Sequence, residues 1–159
     1  MSTAPAIDIA NLPSLELKNI VVAVSLKEGC GYTALYALRL ASIFKSRLHV
    51  VYVHDPQPIR EIAGSEAMDV IERQERLAEE KLEFLVKELQ RSHPDCDSKF
   101  LMGEPAEEIT RYARVCHADL IVTASHHAGF LARFFGLDCA PRIMHQTSCP
   151  VLVVAGIVS

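Results

Sequence analysis

Several side chains in this sequence have types that could bind a metal or act as a nucleophile. His126, His127, Cys139 and His145 are potential zinc ligands, and a zinc site needs three or four such ligands around one point. Ser125 beside His126 offers a nucleophile and a base, but sequence neighbours rarely reach that geometry and no orienting third group is evident. We therefore interpret these histidines as loop and surface residues, and we predict no metal site and no catalytic residue.

The cysteines point to a reducing environment. The five thiols include no Cys-x-x-Cys pair and their number is odd; they are Cys30, Cys96, Cys116, Cys139 and Cys149. This pattern is typical of unpaired thiols in a reducing compartment, so we predict a cytoplasmic protein. Cys30 lies in a glycine-flanked loop and could be redox-sensitive, although we favour a structural role.

Length and charge limit the classes of function. The chain has 159 residues, is 50% hydrophobic and carries a formal net charge of −4. This length suits one domain with a sizeable core, and the acidic balance argues against nucleic acid or a membrane surface as a partner. The longest apolar stretch, 151–158, is too short to span a bilayer, and residues 1–17 lack the features of a secretory signal. We predict a loose extension at 1–17 and one soluble domain at 18–159.

Strand and helix patterns alternate along the chain. Apolar runs rich in β-branched residues predict five buried strands, at 19–25, 48–53, 98–102, 118–123 and 150–154. Helical spacing of apolar residues predicts helices at 32–45 and 66–91, after Gly103-Glu-Pro, and near 140–145. We interpret 66–91 as a solvated crossover helix rather than a coiled coil. Residues 56–63 contain two prolines, and we predict a loop there.

Five such alternations predict a parallel sheet with right-handed crossovers and helices on both faces. In these sheets a ligand binds beyond the carboxyl ends of the strands, where the strand order reverses. With a strand order of 3-2-1-4-5, the first and fourth strands flank that crevice. The loops 25–31 and 124–138 are therefore the candidate ligand loops. His54 and Asp55 lie near the same edge, and we expect them to make strand-end hydrogen bonds.

Four segments, in this order, resemble the universal stress protein family: Asn19–Val24, Gly103-Glu-Pro followed by Ile109, Ala118–Val122, and Cys149–Val154. The resemblance extends over about residues 18–155. It implies a five-stranded fold of the adenine-nucleotide α-hydrolase-like type. It also implies a homodimer paired through the last strand, which here consists of Pro150, Val151, Leu152, Val153 and Val154.

The resemblance further implies two groups of members, of which one binds ATP or a related adenine nucleotide and the other has lost that site. The binders carry Gly-x-x-Gly, about nine more residues and then Gly-Ser or Gly-Thr after the fourth strand. In this sequence Ala124 and His127 stand at the first two glycine positions, and the spacing to Gly136 is one residue shorter. Leu137 replaces the hydroxyl residue and is followed by Asp138.

These replacements oppose phosphate binding for physical reasons. Glycines let successive backbone N–H groups form a concave nest close to a phosphate. His127 adds bulk there, Leu137 removes a donor, and Asp138 would repel a phosphate by about 1–4 kcal/mol at about 4 Å. Ser25 also stands where the binders have an acidic residue at the end of the first strand. We therefore predict that ATP is not held tightly.

The alternative is a nucleotide site built from other residues. His126, His127 and Arg133 could contact phosphate through their side chains, and the backbone of Val53 could hydrogen-bond an adenine. The cofactor would then be ATP or AMP. The tentative nucleotide positions, carried over from the resemblance, are Ala23, Val24, Ser25, Val53, Thr123, Ala124, His127, Arg133, Gly136 and Leu137.

The leading hypothesis is a non-enzymatic stress-response or signalling module that acts as a homodimer, with a protein partner that the sequence does not identify. An adenine-nucleotide sensor is the alternative. A hydrolase or nucleotidyl transferase lacks support, because no P-loop, nucleophile elbow or metal motif is present in the sequence.

Overall fold

The computed structural model describes residues 8–27, 30–125 and 139–155. Five strands form one sheet: β1 (Asn19–Ala23), β2 (Arg47–His54), β3 (Cys96–Met102), β4 (Leu120–Ser125) and β5 (Val151–Ala155). All neighbours pair in parallel, in the order β3-β2-β1-β4-β5. The predicted strand order is therefore confirmed.

The helices that connect these strands are α1 (Cys30–Phe44), α2 (Gln57–Ala63), α3 (Ala67–Gln90), α4 (Pro105–Val115) and α5 (Cys139–Gln146). The prediction of a loop over 56–63 is wrong, because α2 occupies most of it. Pro58 lies in the first turn of α2, where a missing N–H breaks no helical hydrogen bond. The Asp55 carboxylate accepts a hydrogen bond from the Gln57 N–H at 3.0 Å and so supports this start.

The core has one layer on each face of the sheet. Ile20 and Val22 of β1 pack with α1 and α3, whereas Val21 packs with α4 and α5. Because both faces of β1 are covered, its apolar residues run without interruption rather than alternating with polar ones. The predicted helices on both faces are confirmed. In α3, Ile71, Ala78 and Leu82 are buried as their spacing predicts.

The turn before α4 requires glycine. Gly103 has φ +135°, and a Cβ there would lie 3.1 Å from Cγ of Glu108. Glu104 then caps α4: its carboxylate accepts hydrogen bonds from the N–H groups of Ala106 (3.2 Å) and Glu107 (2.9 Å). Pro105 occupies the first turn, as predicted.

The fourth strand begins later than the sequence pattern suggests. Ala118 closes the end of α4 by donating its N–H to the Ala113 carbonyl at 2.8 Å. The Asp119 carboxylate accepts hydrogen bonds from the N–H groups of Lys18 (2.7 Å) and Asn19 (2.9 Å). These contacts hold both residues outside β4, which starts at Leu120.

Ahead of β1, the described residues from Asp8 to Lys18 contain one short 3-10 turn, Ile9–Asn11, and otherwise extended chain. Leu12 and Leu15 are exposed. The boundary between an extension and the domain at residue 17 stays a prediction. Across the described ranges, no helix combines the length and apolar character needed to cross a membrane.

Candidate functional site

The sheet divides at the carboxyl ends of β1 and β4. These two strands pair only as far as Val22 and Val122. Beyond that point the β1 chain stays with β2, because the Val24 N–H donates to the Val51 carbonyl at 2.9 Å. The β4 chain stays with β5 as far as the pair Ser125 and Ala155. The two chain segments therefore part and leave a crevice at the point where the strand order reverses.

The structure brings most of the described candidate residues to this crevice. Ala23, Val24 and Ser25 lie on the β1 side, and Thr123 and Ala124 lie on the β4 side. Four other candidates, His127, Arg133, Gly136 and Leu137, lie outside the described residues, as do His126 and Asp138.

Val53 is level with Ser25 on the neighbouring strand, because Ala23 pairs with Val51. In a parallel strand, successive residues direct their backbone hydrogen-bonding groups to opposite sides. The Val51 carbonyl bonds toward β1, and the His54 carbonyl accepts from the Gly103 N–H on the other side at 3.0 Å. The N–H and carbonyl of Val53 therefore face the β1 side, beyond the point where β1 ends.

The described ends of β1 and β4, which flank the crevice, carry hydroxyl groups and no charged side chain. The Ser25 hydroxyl oxygen accepts only a long hydrogen bond, 3.5 Å, from the Lys27 N–H. Thr123 is buried at the end of β4. These two strand ends can thus offer neutral donors to a ligand, but neither carries a carboxylate to bind ribose hydroxyls or a cation.

Leu26 follows Ser25 with φ +57°, a conformation that leucine rarely adopts. Its side chain packs against the core layer of α1 and α3. That packing offsets a backbone cost of about 1–2 kcal/mol. The loop after β1 is therefore turned sharply at the crevice.

His54 and Asp55 behave differently from each other. The Asp55 carboxylate makes the local hydrogen bond to Gln57 described above, as expected. The expectation is wrong for Nε2 of His54, which is buried and has no hydrogen-bond partner among the described residues. The ring instead stacks on Phe100 with centroids 6.3 Å apart and lies 6.5 Å from Tyr52. Nε2 of this ring therefore lies in an aromatic environment and is not held by a hydrogen bond to a described residue.

Three of the described thiols, those of Cys96, Cys116 and Cys149, are poor nucleophiles. Burial, assisted by the charges of Asp97 and Asp95, raises the pKa of Cys96 to about 11. Burial is also the main cause that raises the pKa of Cys116 and of Cys149. All three stay protonated at neutral pH. The Cys30 side chain lies outside the described part of the structure, so its redox role stays a prediction.

The candidate zinc ligands are not brought together within the described ranges, where no three His, Cys, Asp or Glu side chains converge on one point. His145 lies exposed on α5, while His126 and His127 are outside those ranges. The prediction of no metal site stays a prediction.

A polar cluster around the buried His49, which the sequence did not suggest, lies at the opposite end of the sheet, where the strands begin. Nδ1 of His49 is 2.9 Å from Oδ1 of Asp97, and the Tyr112 hydroxyl is 3.3 Å from the same nitrogen. Nε2 of His49 is 3.3 Å from Oδ1 of Asn19, and Arg47 pairs with Asp97 at 2.9 Å. The cluster joins three strands to α4. No local sequence pattern predicts this cluster, because His49 and Tyr112 are 63 residues apart.

The candidate pairing strand lies at the sheet edge. β5 runs from Val151 to Ala155, and Pro150 directly precedes it with its carbonyl bonded to the Ile121 N–H at 2.9 Å. Val153 is 36% exposed, and Val154 is buried. No other described strand pairs with the outer edge of β5.

This architecture defines a class of protein: a doubly wound parallel α/β domain with a ligand crevice between its first and fourth strands. The universal stress protein family matches residues 16–155. Since that match covers most of the chain, the protein belongs to the universal stress protein family, as the resemblance implied.

Similar proteins agree with this assignment. The chain is 29% identical over 140 residues to universal stress protein MJ0531 of Methanocaldococcus jannaschii, covering 86% of this chain and 81% of that protein. It is 26% identical over 159 residues to the stress response protein NhaX of Bacillus subtilis, covering 85% of this chain and 96% of that protein.

Solved structures share the fold. Universal stress protein UspA from Lactobacillus plantarum superposes with a TM-score of 0.73 at 18% identity, covering 89% of this chain and 99% of that one. A universal stress protein in complex with cAMP superposes at 0.65 and 15% identity, covering 89% and 98%. The protein from Archaeoglobus fulgidus in complex with dAMP does so at 0.58 and 22% identity, covering 87% and 98%.

Proposed function

We propose that this protein is a non-enzymatic, cytoplasmic universal stress protein that acts as a homodimeric stress-response or signalling module and does not hold ATP tightly. The observation that carries the proposal is the absence of a charged side chain at the described ends of β1 and β4. Ser25 stands where the family resemblance implies an acid, and Ala23, Val24, Thr123 and Ala124 are uncharged.

The state of Ala124 supports weak phosphate binding. A phosphate nest needs backbone N–H groups that are free to turn toward the ligand. Ala124 is instead held in the extended conformation of β4, opposite Val154, where successive N–H groups point to opposite sides and so cannot form a concave nest. The first glycine position of the family motif is thus occupied by a strand residue with a Cβ.

The outer edge of β5 supports the homodimer. Natural proteins protect exposed edge strands with charges, prolines or bulges, because bare edges pair with other chains. β5 has the sequence Val-Leu-Val-Val-Ala, with none of these protective residues inside it. A second copy that pairs along this edge would bury it in a symmetric interface.

An adenine-nucleotide sensor for ATP or AMP is the second candidate, and one observation favours it. The backbone of Val53 presents both a donor and an acceptor at the end of β2, which matches the edge of an adenine ring. Thr123 adds a hydroxyl group across the crevice. Relatives of the same fold are known in complex with cAMP and dAMP.

One experiment separates the two candidates. The purified protein is unfolded, and the released supernatant is assayed for adenine nucleotides, with a direct titration of the refolded protein with AMP and ATP. Absence of stoichiometric nucleotide, together with a dimer in sedimentation at micromolar concentration, agrees with the proposal. One nucleotide per chain would overturn it in favour of the sensor.

A further inference from the structure

A second cavity lies far from the nucleotide crevice. Helices α4 and α5 both run toward the amino edge of the sheet, where they end at Val115 and Gln146. An open cavity of about 430 Å³ lies between these two helix ends and the turn that leads into β5. This volume is within the range of small-molecule sites. Its polar lining includes Arg114, His117, Gln146, Thr147 and Ser148.

Several polar side chains around this cavity have hydrogen-bond donors that no other described residue uses. Within the described ranges, the side chains of Arg114, His117 and Ser148 make no hydrogen bond and no ion pair.

Two further side chains use only their acceptor atoms in hydrogen bonds. Oε1 of Gln146 accepts from the Thr110 hydroxyl at 3.4 Å, which leaves the amide N–H groups of Gln146 unused. The Thr147 hydroxyl oxygen accepts from the Cys149 N–H at 3.1 Å and keeps its own proton to donate. No Asp or Glu lines the cavity.

The helix ends would by themselves attract a cation, because their last carbonyls carry partial negative charge. Three of the last four carbonyls of α4 are already bonded. The His117 N–H donates to the Arg114 carbonyl at 3.3 Å, and Ala118 closes the helix on Ala113. At α5 the Thr147 N–H likewise donates to the Ile143 carbonyl at 3.0 Å. These bonds use part of the acceptor capacity of the two helix ends, and Arg114 adds a permanent positive charge.

The His117 side chain reaches the cavity from a strained backbone position. It occupies the left-handed position of the α4 cap with φ +52°, where glycine is the usual residue. A glycine would close the helix equally well but would bring no side chain to the cavity. The arrangement is consistent with a ligand that uses the imidazole.

We propose that this cavity binds a small oxyanion, the phosphate or carboxylate group of a metabolite. The Arg114 guanidinium would contact two of its oxygens, and donors from Gln146, Thr147 and Ser148 would complete the contacts. The site is independent of the proposed function, because it lies where the strands begin, whereas the crevice lies where β1 and β4 end.

The test is a titration of the folded protein with inorganic phosphate and, separately, with acetate, followed by amide chemical shifts in two-dimensional NMR. Sodium chloride at matched ionic strength is the blank. We expect saturable shifts at His117, Ala118 and Ser148. The Arg114→Gln variant is expected to weaken binding by about tenfold or more, since it removes a charge-assisted hydrogen bond. Arg111→Gln is the matched control, because Arg111 lies on the same helix and pairs with Glu108.

Saturation with phosphate alone assigns the site to phosphorylated ligands, and saturation with acetate alone assigns it to carboxylates. Shifts that match the chloride blank, that persist in Arg114→Gln, or that appear only around Ser25 and Thr123 would overturn the proposal. The spectrum of each variant also reports whether it has folded.

Discussion

Oε1 of Glu104 lies 2.7 Å from Nη1 of Arg142, so the residue that caps α4 is also ion-paired to α5. One carboxylate thus joins the two helices that cover the same face of the sheet. The N-terminal cap and the ion pair contribute differently to stability, because an exposed pair is screened by water whereas a lost cap leaves backbone N–H groups without a partner.

We therefore expect Glu104→Ala to lower the free energy of unfolding by about 1–2 kcal/mol and Arg142→Ala to lower it by less than about 1 kcal/mol. Urea denaturation of both variants and of the double variant measures the two losses of unfolding free energy and the interaction energy between Glu104 and Arg142. Arg91→Ala, which removes an exposed pair with Glu88, is the control and should change little. Equal losses for Glu104→Ala and Arg142→Ala would show that the cap contributes nothing.

Two helices end at a residue other than glycine that has a positive φ. At both positions we expect glycine to stabilise the protein. Lys45 has φ +55° after α1, and the next N–H, of Ser46, bonds to the Ala41 carbonyl at 2.9 Å. His117 occupies the same position after α4. Glycine relieves the backbone strain at these positions but also gives the unfolded chain more freedom, so we expect Lys45→Gly and His117→Gly each to stabilise the protein by about 0.5–1 kcal/mol.

Thermal unfolding of both glycine variants tests this expectation. Lys45→Ala is the matched control, because alanine keeps the strain. If the alanine variant gained as much stability as the glycine variant, the strain argument would be wrong.

The free edge of β5 predicts how the proposed dimer can be broken. The Ile121 N–H bonds to the Pro150 carbonyl, so residues 150, 152 and 154 direct their backbone groups toward β4. Val153 directs its N–H to the outside. Val153→Pro removes that outward donor without removing a bond to β4, and we expect it to convert the dimer to a monomer.

Sedimentation velocity at micromolar concentration measures the result, with circular dichroism as the test of folding. Val153→Thr keeps both the N–H and the β-branched shape, and it should remain dimeric. A folded Val153→Pro variant that stays dimeric would place the interface elsewhere on the molecule.

The missing acid in the crevice predicts a gain of binding. A carboxylate at position 25 would accept hydrogen bonds from ribose hydroxyls, and such charged hydrogen bonds are worth about 1.5–3 kcal/mol. We expect Ser25→Asp to strengthen adenine-nucleotide binding by at least about tenfold in calorimetric titrations with AMP. Ser42→Asp adds the same charge on α1, where the native hydroxyl bonds to the Leu38 carbonyl, and serves as the control. Equal affinities in both variants would mean that position 25 does not face the nucleotide.

The raised pKa of Cys96 predicts a loss of stability in alkali. The folded state keeps this thiol protonated up to about pH 11, whereas the unfolded chain releases the proton near pH 9. The unfolded state thus binds fewer protons in that window, and the free energy of unfolding falls as the pH rises. We expect a contribution of about 2–3 kcal/mol, fully present below pH 9 and lost by pH 11.

Urea midpoints of the native protein and of Cys96→Ala, measured between pH 8 and pH 11, isolate this contribution from other titrating groups. Cys96→Ala should be less stable at pH 8 because it leaves a cavity, but its stability should depend less on pH. Parallel pH dependences would contradict the assignment.

Local sequence patterns were sufficient to predict the strands and four of the five helices. Together with the right-handed crossover rule, they also predicted the position of the crevice. β1 is recognisable because Ile20, Val21 and Val22 must all be buried, and α4 because Gly103 and Pro105 each fit one backbone position at its start. These features depend on neighbours in the chain. The two prolines near α2 misled the interpretation because proline both starts and breaks helices, and here Pro58 lies in the first turn, which the Asp55 carboxylate supports through the Gln57 N–H.

By itself, the sequence determined the family, the order of the elements and the replacement of charged and glycine residues at the crevice, because residue types and short spacings carry that information. Only the tertiary structure decided the direction of the Val53 backbone, the link between Glu104 and Arg142, the cluster around His49 and the donor-lined cavity beside Arg114. Each of these joins residues that are distant in the chain, and their distances and free hydrogen-bonding groups exist only after the helices have packed on the sheet.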